Sequence, residues 1–177
     1  INTGYGWALV QPTSNISIGI GTTVVNTAMN IEEHEFGAFH GSGVVIGCSG
    51  ISSNIKVTGV TTASSDGLSS FVTLLAAVDD STVTFEGGSS SFHALSVQAD
   101  NGIYVMSDVT ATGGPLYLNG DMEDSGTADS FNTVHFADGV SATAKRVLTL
   151  EAGGNAVTYA GAITLSGGTG MVLLEDI

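Results

Sequence analysis

From about residue 50 onward the chain alternates apolar and polar residues over short runs, each closed by Gly, Ser, Asn or Asp. The runs "NIKVTGV", "SFVTLLAAV", "STVTFEGG", "HALSVQAD", "GIYVMSDV", "GPLYLNGD", "NTVHFADG", "RVLTLEAGG", "AVTYAG", "AITLSGG" and "GMVLLED" read as strands. A period of two places Val83 and Phe85, Leu95 and Val97, Leu116 and Leu118, Val134 and Phe136, and Leu148 and Leu150 on buried faces, with Thr, Ser and Tyr outward. Related strands recur after roughly 18 to 24 residues, as from Val83 to Ile103, Leu95 to Leu116, Val134 to Val157 and Leu148 to Val172. Strands this short hold no core alone, but coils stacked about 4.8 Å apart bury a continuous apolar column. The pattern predicts an all-β parallel β-helix, or β-solenoid, of on the order of eight coils. The alternative is a β-sandwich fibre subunit completed by a neighbour's strand.

The first 50 residues are less regular. "NISIGIGTTVV" is strand-like, but "NTAMNIEEHEFGAFHGSG" breaks the alternation with acids, two histidines and two phenylalanines. Asn30 followed by Glu33 has capping-box spacing, and "EEHEF" also alternates, so a short irregular or helical insertion is expected near residues 26–43, covering one side of the rod. The expected organisation is one domain over 1–177: an irregular N-terminal part or cap to residue 50, then regular coils over 51–177 that can continue in a longer parent chain. The 25 glycines suit corners that need positive φ, and only 2 prolines suits strands paired on both sides.

Charge narrows the partners. Three Lys and Arg stand against 17 Asp and Glu, a net charge of −14, and such a surface repels phosphate backbones, so nucleic acid is excluded as an expected partner. No run approaches the ~18 apolar residues of a membrane-spanning helix, so no membrane insertion is expected. The acidic balance suits an extracellular or cell-surface setting. Cys48, alone in the chain, rules out an internal disulfide and reads as a small buried strand residue.

The segment "GAITLSGGTGMVLLE", with the earlier "RVLTLEAGGNAVTYAG", resembles the coils of filamentous-haemagglutinin-like β-solenoids and other large secreted repeat proteins. Ile163, Thr164, Leu165, Gly167, Gly168 and Leu173 carry the likeness. The resemblance implies a right-handed parallel β-helix with a structural or adhesive role in an extracellular fibre, and it brings no catalytic residues.

Among candidate sites, "DMEDSGTADSFN" places Asp121, Glu123, Ser125 and Gly126 at positions one, three, five and six of a calcium-loop pattern, with Asn132 where a bidentate glutamate would stand. Calcium held by Asp121, Glu123, Asp124 and Asp129 is one expectation, and a solvated loop protruding from the rod is the other. His34 and His40 lie near Glu32, Glu33 and Glu35 without a recognised metal spacing, while His93 and His135 sit singly in strands, His135 facing out. Asp79 and Asp80 read as a turn rather than as facing carboxylates. Three basic residues, no nucleophile elbow and no phosphate loop argue against an enzyme. Exposed threonines could form ladders that bind ice or carbohydrate. "NIS" at 15–17 matches the N-glycosylation acceptor pattern at Asn15. Met171, Val172, Leu173 and Leu174 form an apolar last strand on which another coil can stack. The expected function is a structural subunit or segment of an extracellular filament or surface appendage, with itself as partner. A calcium-dependent adhesin or glycan-binding module is the alternative, and a polysaccharide-active parallel β-helix enzyme the second.

Overall fold

The computed structural model describes residues 1–22, 27–124, 130–153 and 155–174. The chain begins with β1 (Trp7–Val10), β2 (Ile16–Gly21) and β3 (Met29–Glu32), turns through α1 (Glu33–Phe36), and continues with β4 (Gly43–Gly47) and β5 (Ser52–Thr58). A second helical turn, α2 (Thr62–Ser65), precedes β6 (Phe71–Ala76), β7 (Val83–Phe85) and β8 (Ser90–Phe92). Then follow β9 (Ala94–Ala99), β10 (Ile103–Val105), β11 (Val109–Ala111), β12 (Leu116–Asn119), β13 (Val134–Phe136) and β14 (Ser141–Ala144). The described chain closes with β15 (Val147–Glu151), β16 (Thr158–Tyr159), β17 (Thr164–Gly167) and β18 (Gly170–Leu173).

These strands form three sheets. Sheet I has the order β1-β4-β6-β9-β12-β15-β18, sheet II β16-β13-β10-β7-β5-β2-β3, and sheet III β17-β14-β11-β8. From β6 to β17 successive strands pass from sheet I to II to III and back, so each turn of chain there adds one strand to each sheet and defines one level of the stack; before β6 the chain alternates between sheets I and II, with β2 and β3 both in sheet II. The pairings between named strands are all parallel among the described residues, unlike the antiparallel sheets of a β-sandwich. The protein is therefore nearly all β, built from parallel sheets.

The alternation explains the core. In sheet I the inward residues Val44 and Ile46, Val72 and Leu74, Leu95 and Val97, Leu116 and Leu118, and Leu148 and Leu150 stack from level to level. Sheet II supplies Ile18 and Ile20, Ile55 and Val57, Val83 and Phe85, Ile103 and Val105, and Val134 and Phe136. All ten paired positions expected to face inward are fully buried. Sheet III is lined by Val109, Ala111, Ala142 and Ala144, with Leu165 on β17 at one end and Phe92 on β8 at the other. Below that level α2 and then α1 take the strand's place, and the buried Phe36 of α1 meets Phe92 edge-on at 6.1 Å between ring centroids. A helical turn is wider than a strand, and the two phenylalanines fill the extra width.

Three differences from the sequence reading have physical causes. First, the regular part begins well before residue 50, because β1, β2 and β4 already belong to the sheets. Second, the capping box is formed by Glu32 and Glu35, two residues later than the Asn30–Glu33 spacing suggested, because Asn30 is held in β3 opposite Gly19. Third, Leu148 stands opposite Met171, not Val172, so Met171 and Leu173 point inward and Val172 outward. A slip of one residue exchanges the two faces of a strand.

Two glycines are required by the packing of sheet I. Gly47 ends β4 at φ +99°, and a Cβ there would lie 2.1 Å from the Leu75 carbonyl oxygen. At Gly43 a Cβ would lie 2.7 Å from a ring carbon of Trp7, which lies over the bare backbone.

The corners are held by Asn and Asp side chains that accept N–H groups from a neighbouring level. Asn54 Oδ1 accepts from Thr82 N at 2.8 Å, Asp108 Oδ1 from Ser141 N at 2.8 Å, and Asp138 Oδ1 from Ala162 N at 2.7 Å. Asn101, buried between levels, accepts from Phe131 N at 2.9 Å and Asn132 N at 3.4 Å while its amide donates to Asp80 Oδ1 at 3.1 Å. Asp80 itself turns at φ +65°, which makes the Asp79–Asp80 pair a corner.

Candidate functional site

Exposed apolar or aromatic groups gather at the ends of the stack, in a cleft over sheet II and on a flatter patch of sheet I. At one end β18 overhangs, since sheet I carries one more level than β16 and β17 beside it. The inward-pointing Met171 and Leu173 are 49% and 40% exposed there, against 0% for Leu148 and Leu150 directly beneath. Tyr159, inward-pointing on β16, is also exposed. At the other end it is sheet II that overhangs, with β3 one strand beyond β2 while β1 closes sheet I. A cavity of about 390 Å³ opens beside β3, lined by Ile1, Asn30, Ile31, His34, Glu35, Ala38 and Phe39. The exposed Trp7 and Leu9 project outward from β1.

The cleft over sheet II holds about 410 Å³. Its floor is the outward column Tyr104, His135 and Thr158, three successive strands of the sheet. Phe131 forms one wall, its ring edge-on to Tyr104 at 6.0 Å, and Tyr104 lies 6.1 Å from the His135 ring. Asn155 leans over from the next corner and donates to the Phe131 carbonyl at 3.2 Å. Burial against these neighbours raises the Tyr104 phenol above its ordinary value, so it stays a neutral donor. Below the rings a polar file runs from His135 Nδ1 to Thr158 Oγ1 at 2.9 Å, from Thr158 Oγ1 to Thr133 Oγ1 at 3.2 Å, and on to the Ala156 carbonyl.

The outward face of sheet I carries a second, flatter patch formed by Trp7, Phe71, Thr73, Ser96 and Tyr117. Tyr117 hydrogen-bonds Glu151 and accepts from Asn119 Nδ2 at 3.0 Å. Its phenol is raised mainly by burial, then by the bond to Glu151.

The acids of the calcium-loop pattern are not gathered into a cage among the described residues. Asp121 is buried, its Oδ1 accepting from Asp124 N at 3.2 Å and its Oδ2 from Asn132 Nδ2 at 3.2 Å. Glu123 and Asp124 are exposed, and Asp129 lies outside the described residues. No group of three or more His, Cys, Asp or Glu able to hold a metal occurs among the described residues. His34 pairs with Glu32 at 3.3 Å on the surface, and His40 instead packs its ring against Gly67. His93 packs against Gly113, and His135 faces outward as its alternation required. Cys48 is half-buried just past β4 rather than in the core. Asn15 is exposed in the turn before β2. Met171, Val172, Leu173 and Leu174 are all exposed, on and just after β18. The sequence reading missed the cleft, because Tyr104, Phe131 and His135 are separated by corners and meet only once the register is known. The isolated outward aromatic between two buried neighbours in "IYV", and the outward His in "VHF", were the available signals.

The chain matches no family model, no curated protein and no solved structure. No helix among the described residues is long and apolar enough to cross a membrane.

Proposed function

We propose that the three sheets wind as one right-handed parallel β-solenoid and that the protein is a structural subunit of an extracellular filament or surface appendage, assembling head to tail. The hand follows from the strong preference of parallel crossovers, about 98% right-handed. The observation that carries the assembly is the complementary step between the two end faces formed by the described residues: sheet I overhangs by one strand at β18, and sheet II by one strand at β3. When one copy is placed on the next, β18 meets the β1 edge while β3 meets the β16 edge, all in parallel. Met171 and Leu173 then lie against the smaller Ala8 and Val10, and Tyr159 faces Ile31 and the cavity beside Phe39. Such a contact is heterologous, uses different surfaces on each copy, and grows without closing.

Sedimentation velocity and negative-stain microscopy test the reading. Concentrated protein should form rods with a repeat of about 3 nm, the height of the stack at about 4.8 Å per level. Leu173→Asp, on an exposed edge, should leave the monomer folded and abolish the rods. A sample that stays monomeric at about 0.1 mM, or rods that survive Leu173→Asp unchanged, overturns it.

A further inference from the structure

We infer that the cleft over sheet II is a binding site for an uncharged saccharide, with Tyr104 and Phe131 as stacking surfaces and His135 Nε2 as a hydrogen-bond acceptor for a sugar hydroxyl. The role of His135 follows from its polar file. Thr133 Oγ1 donates its single proton to the Ala156 carbonyl, so toward Thr158 it can only accept. Thr158 Oγ1 must then spend its own proton on Thr133, and it can only accept from His135. The one arrangement that satisfies all three contacts puts the proton of the neutral imidazole on Nδ1. Nε2 is left with a lone pair and, among the described residues, no protein donor, on a ring that forms the cleft floor.

The surrounding groups select the ligand. The described lining has no carboxylate, no Lys and no Arg, so an ionised ligand would lose its hydration without gaining a partner. A polyanion is further opposed by the net charge of −14. The lining instead alternates aromatic faces, which suit the C–H face of a sugar ring, with the Tyr104 hydroxyl, Thr158 and Asn155, which suit its hydroxyls. The column of Tyr104, His135 and Thr158 spans three strands at about 4.8 Å spacing, long enough for more than one ring. The site faces outward from sheet II and is complete within one copy, although its last strand, β16, is also the edge that the assembly would use.

The test is calorimetric titration of the full chain with neutral cello-, xylo-, manno- and galacto-oligosaccharides, with oligogalacturonate and tetramethylammonium as charged comparisons. At least one neutral series should bind, and Tyr104→Ala should weaken it about tenfold or more. Thr158→Val, a β-branched replacement on an exposed strand, leaves the aromatic walls intact and should weaken binding severalfold. Nitrogen NMR of the free protein should report His135 protonated at Nδ1, and sugar should shift the Nε2 resonance. The Leu173→Asp monomer should bind as the wild type does, which separates this result from the fate of the filament. Absence of binding by every neutral series at about 10 mM overturns the proposal. So does binding untouched by both Tyr104→Ala and Thr158→Val, preference for a charged ligand, or an Nε2–H tautomer.

Discussion

Asn101→Ala is the sharpest probe of how the levels are held together. The side chain is buried at the corner between β9 and β10 and joins three levels: it accepts from Phe131 N and Asn132 N and donates to Asp80 Oδ1. Alanine leaves those groups without a partner. A buried N–H stripped of its acceptor costs about 1–3 kcal/mol. The Phe131 bond at 2.9 Å is the strong one, and the bond from Asn132 at 3.4 Å is weaker. The Asp80 carboxylate is near enough to the surface to recover water. The expected loss is about 2–4 kcal/mol, which at an m-value of about 2 kcal/mol/M moves a urea midpoint by about 1–2 M. Equilibrium unfolding followed by circular dichroism reads the shift directly. Asn101→Asp supplies a second reading, because it keeps both N–H acceptors but sets a carboxylate beside Asp80. That repulsion raises the introduced group's folded-state pKa, so its cost is present above that value and is relieved as pH falls. Its deficit relative to wild type should therefore shrink between pH 7 and pH 4. A midpoint shift for Asn101→Ala worth less than about 0.5 kcal/mol would refute the view that this corner ties levels together.

Leu118→Ala, deep in sheet I between Val97 on β9 and Leu150 on β15, should cost about 2–5 kcal/mol in the same unfolding experiment, whereas the outward Thr149→Val should stay within about 0.5 kcal/mol. For alkaline pH the sign follows from the raised phenols of Tyr104 and Tyr117. A proton held more tightly in the folded state stabilises below the unfolded value near 10 and ceases to do so as pH rises through the folded value. Absorbance titration should show phenols ionising late, and Tyr117→Phe should remove one of them and flatten the alkaline loss of stability.

The inward residues were legible because alternation is a property of a single strand. Val83 and Phe85 or Leu148 and Leu150 need no knowledge of their neighbours to be placed. Register was less so: a spacing of about one coil could join Leu148 to either Met171 or Val172, and only pairing decides between them. The acids misled for a different reason. Asp121 reads as a cation ligand in sequence, yet its Oδ1 accepts the N–H of Asp124 at its own corner, the use to which Asp108 and Asp138 also put a carboxylate oxygen at theirs. The helical turn α1 falls inside the insertion expected near residues 26–43, whereas α2 had no such signal, because the packing of the third face rests on contacts such as Phe36 against Phe92, made across distant parts of the chain.

The uneven length of chain between paired strands has a mechanical consequence. Strands of sheet I are joined directly only to the levels on either side, so a load drawn along the stack between β1 and β18 is resisted one level at a time. Each level that gives way releases its own slack, from the interval between Leu95 and Leu116, about 7 nm when extended, to that between Ala8 and Val44, about 12 nm. A pulling trace would be a staircase of unequal steps, and the order of those steps would identify which level yields first.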